Sequence, residues 1–170
     1  MKNRAMLIGA IGAGKTTLTH VLLGKNVQPR KTQSLLYYDW IVDTPGEYTE
    51  NPLFYKNIMA TALEVTHILF IQDATKNNSI FPPGFSTGMN KLIIGVITKC
   101  DLMDADIDRA ARHLKSAIKT GPILLTSAVT YMGIRELKEL IQCSSIEGMK
   151  EIVNKSQQKD QPTFYYWEDA

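Results

Sequence analysis

The stretch GAIGAGKT, Gly9 to Thr16, follows the apolar run Ala5-Met6-Leu7-Ile8 and leads directly into Thr17-Leu18-Thr19-His20-Val21-Leu22-Leu23. Three glycines, a lysine and a hydroxyl at a strand-to-helix turn leave few folding options. The pattern Gly9-x4-Gly14-Lys15-Thr16 is the phosphate-cradling loop, and a strand before it with a helix after it is the context that supports the match. Without Cβ atoms at Gly9, Gly12 and Gly14, backbone N–H groups from Ala10, Ala13 and their neighbours can converge on an anion. The helix that follows, starting near Lys15 and Thr17, turns its positive end toward the same point. Lys15 then reaches terminal phosphates as a point charge, and the Thr16 hydroxyl is placed to ligate Mg²⁺.

The rest of the chain repeats the strand-then-helix rhythm. Short apolar runs at Ala5–Ile8, Leu35–Val42, His67–Gln72, Leu92–Thr98 and Ile123–Thr126 alternate with segments of helical periodicity, which predicts βαβ units around a mostly parallel sheet. Thr32–Asp43 reads as one long strand or as a hairpin turning near Tyr38-Asp39, the hairpin being preferred. Helices are expected over Lys15–Leu23, Pro52–Glu64, Asp104–Lys119, Gly133–Gln142 and Ile146–Lys155. Ala74–Lys91, with Asn77-Asn78-Ser79 and Pro82-Pro83-Gly84, is a long loop of the kind that is commonly functional or mobile. One domain is expected over residues 1–156 and a polar, aromatic tail outside its core over residues 157–170. Phe164–Trp167 in that tail either docks a partner or folds back on its own domain.

Bulk composition excludes several roles. The 170 residues are 44% hydrophobic, enough for one core, and 19 basic against 17 acidic residues are spread without a basic stripe, so nucleic acid is not an expected partner. No apolar stretch approaches the length of a membrane span, and Cys100 and Cys143 form no metal or disulfide pattern, which points to a soluble protein of the reducing cytoplasm.

Two further motifs specify the ligand. Asp43-Thr44-Pro45-Gly46 ends an apolar run as D-x-x-G, in which Asp43 holds the metal through water and the Gly46 N–H meets a γ-phosphate; an ordinary strand-closing turn is the plain alternative. Thr32 is the candidate for one more metal ligand from a mobile loop. Thr98-Lys99-Cys100-Asp101 follows another apolar run, and an Asp101 carboxylate can accept both N–H donors of the guanine edge, a pair that adenine lacks. Lys99 would lie along the ring face. Thr126-Ser127-Ala128 falls where a backbone N–H would meet the guanine carbonyl, although Ser127 also suits a helix cap. Arg30 and Lys31 are either a cationic finger on the γ-phosphate or solvated side chains, and Cys100 is either an oxidisable gate or a small loop filler.

The order GAIGAGKT, Thr32, DTPG, TKCD, TSA resembles the GTPase superfamily of P-loop proteins over residues 5 to about 143. Arg30-Lys31-Thr32-Gln33, DTPGEY at Asp43–Tyr48, Asn51-Pro52 with Tyr55, and Pro83-Gly84-Phe85 narrow the likeness to the EutP/PduV family of ethanolamine and propanediol utilisation. The resemblance implies a P-loop NTPase fold: a doubly wound, mostly parallel sheet of five or six strands with helices on both faces. It implies GTP and GDP as ligands with Mg²⁺, slow GTP hydrolysis, and a cytoplasmic place at or near bacterial microcompartments, with shell or pathway proteins as partners. Some members of that family are associated with acetate kinase activity, and a nucleotide-dependent shell-binding module with vestigial hydrolysis is a third option. The chain departs from many small GTPases in having Glu47 where they carry Gln, and Thr98 where most relatives have Asn, a change expected to weaken loop tethering. Lys15, Thr32, Glu47 and Arg30 are the candidate catalytic residues.

Overall fold

A computed structural model describes residues 2–157 and 164–168. Among the described residues, seven strands form one sheet in the order β2-β3-β1-β4-β5-β6-β7. β1 (Ala5–Gly9), β3 (Ile41–Asp43), β4 (His67–Asp73), β5 (Leu92–Thr98) and β6 (Gly121–Leu125) run parallel, and β2 (Leu36–Tyr37) and β7 (Phe164–Glu168) are antiparallel edges. β4 and β5 carry near-continuous apolar sequence because both faces are covered, as in doubly wound sheets.

Alternation along the strands divides the core. Met6, Ile8, Ile68 and Phe70 face α3 (Tyr55–Ala62) and α4 (Ile107–Ala117). Ala5, Leu7, Leu69 and Ile71 face α1 (Lys15–Leu22), α5 (Ile134–Gln142) and α6 (Ile146–Gln157). Strand order reverses direction at β1, whose two neighbours β3 and β4 both follow it in sequence. Loops at the carboxyl ends of the strands open there into a crevice. α1 begins in that crevice.

The hairpin reading of residues 32–43 holds: Leu36 pairs with Asp43 and Tyr37 with Val42, and the Tyr38 amide donates to the Ile41 carbonyl at 2.8 Å. The helix expected from Pro52 starts there as a 3₁₀ turn that runs directly into α3, and a short helix that was not expected precedes it. α2 (Glu47–Glu50) ends at Asn51, whose extended backbone, the conformation a following proline favours, precedes a 3₁₀ turn at Pro52–Phe54 before α3 starts. The Asn51 carboxamide caps that turn by accepting from the Leu53 amide.

Two expectations need correction. The long segment 74–91 is packed rather than loose: Phe81 and Met89 are buried, Phe81 meets Phe70 at 4.9 Å between ring centroids, and the Gly84 amide donates to the Ser116 carbonyl. Phe164–Glu168, expected outside the core, forms β7 along β6 and buries Phe164 among α6 and sheet residues. It adds a strand to the six already formed, because apolar and aromatic residues at strand spacing can close an otherwise bare edge. Residues 158–163 and 169–170 of the expected tail lie outside the described residues.

Candidate nucleotide site

Positive backbone angles at Gly12 (φ 74°) and Gly14 (φ 94°) turn the loop after β1, and a Cβ at Gly9 would come within 2.6 Å of the Ile71 carbonyl oxygen. The loop closes with the Ala13 amide on the Ala10 carbonyl. Lys15 lies buried under it, its ammonium donating to the Gly9 and Ala10 carbonyls at 2.8 and 2.7 Å. Burial pulls the Lys15 pKa down to about 8, partly opposed by the charges of Asp43 and Glu50. The side chain therefore remains protonated at neutral pH.

The three residues expected to hold a metal converge. Thr16 Oγ1 and Thr32 Oγ1 each donate to Asp43 Oδ2 at 2.8 Å, and the two hydroxyls are themselves 2.8 Å apart. Asp43 is fully buried, and its Oδ1 is without a hydrogen-bond partner. Two hydroxyls on Asp43 Oδ2, with the other oxygen of the same buried carboxylate left over, make a hard-oxygen set that suits a small divalent cation such as Mg²⁺. Among the described residues no group of three or more His, Cys, Asp or Glu is arranged to hold a metal by itself, so an ion here would need further ligands from the nucleotide or water.

Gly46 lies against the loop so closely that a Cβ there would overlap the Ile11 amide nitrogen and Cα, which makes glycine obligatory at this position. The exposed carboxylate of Glu47 accepts from Lys31 at 3.1 Å. Glu50, one helical turn further, accepts from the Ile11 amide at 2.8 Å. Of the two carboxylates, the one on the phosphate loop is therefore Glu50, a residue no motif singled out. Arg30 is exposed and lines the mouth of a pocket of about 390 Å³ together with Lys15, Thr16, Thr32 and Gly46. Thr44 and Thr49, also unmarked in the sequence, brace the floor, the Thr44 hydroxyl donating to the Leu7 carbonyl and the Thr49 hydroxyl accepting from the Gly9 amide.

A second pocket of about 210 Å³ shares Gly14, Thr17 and Lys99 with the first and extends past Thr98, Asp101, Thr126 and Ala128. Thr98 keeps the tether that its replacement of Asn put in doubt, its hydroxyl donating to the Ala13 carbonyl at 2.7 Å. Asp101 stands exposed on the wall. Ser127 does not line the pocket: its amide donates to the Met132 carbonyl and its hydroxyl accepts from the Val129 and Thr130 amides, which closes a turn and not the helix cap that was the alternative, since α5 starts at Ile134 with Gly133 before it. Burial pushes the Cys100 thiol up to about 11, which makes it a poor redox gate and fits a loop filler.

A sheet of this order with such a loop after its first strand is a P-loop NTPase fold. A bacterial selenocysteine-specific elongation factor superposes on 91% of this chain with a TM-score of 0.57 at 21% identity, the match covering 29% of that longer protein. Residues 1–143 match the family described as ethanolamine utilisation – propanediol utilisation, and the chain belongs to that family. It is 36% identical over 136 residues to the propanediol utilization protein PduV of Citrobacter freundii, covering 79% of this chain and 89% of that one. It is 33% identical over 144 residues to the probable acetate kinase EutP of Salmonella typhimurium, covering 84% and 91%.

Proposed function

We propose that this protein binds GTP and GDP with Mg²⁺ and hydrolyses GTP slowly, and that it acts in the cytoplasm in ethanolamine or propanediol utilisation, in association with bacterial microcompartments. The observation that carries the nucleotide reading is continuity: a cation- and hydroxyl-lined phosphate end joins an Asp101-walled base end through Gly14, Thr17 and Lys99. Two pockets joined in this way suit a nucleoside attached to its phosphates.

In this reading the amides of the loop and the amino end of α1 hold the phosphate oxygens, and Lys15 exchanges carbonyl contacts for phosphate contacts. Thr16, Thr32 and Asp43 would hold Mg²⁺, which when bound neutralises charge on the phosphate oxygens. Thr32 and Gly46 lie on the two segments that would order around a γ-phosphate and relax after its loss. Asp101 accepts the paired donors of guanine, and Ala128 lies on the wall where a backbone N–H can meet the base carbonyl. Glu47 stands where many small GTPases carry the water-orienting Gln and is ion-paired with Lys31, an arrangement in keeping with slow unassisted turnover.

A second reading, nucleotide-dependent phosphoryl transfer to a small carboxylic acid, is favoured by the name of the EutP relative and by the room beside Arg30 and Lys31. Single-turnover assays of the wild-type protein with GTP or ATP and Mg²⁺, with and without acetate, separate the two. Release of phosphate from GTP at a rate indifferent to acetate supports hydrolysis; acetyl phosphate formed from ATP supports transfer. Binding of GTP without turnover, together with nucleotide-dependent retention on purified shell proteins, would favour a recruiting module.

A further inference from the structure

Asp73 closes β4 with a carboxylate whose side chain is 3% exposed, and both of its oxygens are engaged. Oδ1 accepts from the Thr75 amide at 2.8 Å and the Thr75 hydroxyl at 2.7 Å, and Oδ2 accepts from the Lys99 ammonium at 2.6 Å. The register of β4 and β5, with Asp73 opposite Thr98, brings the two residues together. The same ammonium donates to the Gly12 carbonyl at 2.9 Å. Lys99 also adopts a left-handed backbone (φ 61°), uncommon for a residue with a side chain and a sign that its surroundings hold it there. Burial alone would raise the Asp73 carboxyl, but the hydrogen bonds from Lys99 and Thr75 outweigh it and keep the group below its ordinary value.

Lys99 is therefore held at both ends, and it is one of three residues, with Gly14 and Thr17, that line both pockets. We infer that Asp73 is a positioning residue for nucleotide retention: it stretches Lys99 from the base loop to Gly12, so that the base end and the phosphate end of the slot open only together. The inference rests on the guanine-nucleotide reading above. Without the Asp73 carboxylate, the ammonium keeps only the neutral Gly12 carbonyl, a weaker partner than a carboxylate and one that the phosphate chain or bulk water can replace, so that the side chain is free to leave the shared wall. Release should then quicken for diphosphate and triphosphate alike, whereas the choice of base stays with Asp101.

The test is dissociation of mant-GDP, chased with excess GDP in Mg²⁺, from the wild type, Asp73→Asn, Lys99→Met and the double variant. Each single variant is expected to release about 10- to 30-fold faster, and the double variant no more than about twofold faster than the quicker single, because both substitutions break one unit. Effects that multiply would overturn the positioning role, since a merely loosened fold adds its cost independently of Lys99. If Asp73→Asn does not fold, Thr75→Ala takes its place: an acceleration of about threefold that vanishes in the Lys99→Met background supports the inference, and no acceleration overturns it. Failure of the wild type to retain mant-GDP at all would sink the nucleotide reading and this inference together; tight wild-type binding with multiplying effects would sink this inference alone.

Discussion

The two ends of the slot are built differently. At the phosphate end the polar side chains close on groups of the same site: Lys15 on the Gly9 and Ala10 carbonyls, Thr16 and Thr32 on Asp43. At the base end Asp101 is exposed on the wall, and the ordered contacts, Thr98 to Ala13 and Lys99 to Gly12, reach back toward the phosphate loop. The difference teaches that the loop after β5, proposed above to read the base, is hung from the phosphate loop by Thr98 and Lys99. In the proposed function, a ligand at the phosphate end would displace internal hydrogen bonds, whereas at the base end it would meet the exposed Asp101 carboxylate. Affinity should thus depend most on the first end and selectivity on the second.

Replacing Lys15 gives the largest effect. Lys15→Ala removes the buried cation, and affinity for GDP and GTP should fall about 100-fold, the scale of charge-assisted hydrogen bonds worth up to about 3 kcal/mol; a loss below tenfold in calorimetric titration would remove the phosphate end from its leading place. The same residue should leave a mark on stability. With its pKa at about 8 in the folded protein against 10.5 unfolded, the native state holds fewer protons than the unfolded chain between those values, so stability rises as pH climbs through that window. The contribution is about 3 kcal/mol. From pH 8 to 10 the melting temperature of the nucleotide-free wild type should rise relative to that of Lys15→Met, and a constant difference between them over that range would argue against a buried cation.

Asp101→Asn should cost GDP about 50-fold in affinity and improve xanthosine diphosphate, because a carboxamide presents a donor to the xanthine carbonyl and an acceptor to its ring N–H. Equal losses for both bases would show that the exposed carboxylate reads nothing. The smallest effect belongs to Thr32→Ala, about tenfold on GTP with Mg²⁺ and within about twofold on GDP, since the residue sits on a segment proposed to order around the γ-phosphate. Equal weakening of both nucleotides would make Thr32 part of the fixed frame instead of a switch.

Legibility in the sequence follows the same division. The phosphate loop, Asp43 and Gly46 are readable because short contiguous spacing fixes backbone geometry, and the doubly wound sheet is readable because apolar runs alternate with helical periodicity. Asp73 and Glu50 are not, since each acts on a residue far along the chain, Asp73 on Lys99 through the register of two strands and Glu50 on Ile11 through the packing of α2. The Ser127 side chain shows the limit of a weak motif: the tripeptide matched, but its hydroxyl and amide are spent within its own loop. β7 did carry a local signal, a Phe-Tyr-Tyr-Trp run of strand-favouring residues, which the polar stretch before it obscured.

The claim on which the rest depends is that this slot takes a guanine nucleotide. Isothermal titration of the wild-type protein with GDP and with ADP, both in Mg²⁺, tests it most directly. The geometry predicts GDP binding at least about 100-fold tighter than ADP, as an unmatched carboxylate would impose; ADP binding as tightly or more tightly would contradict it.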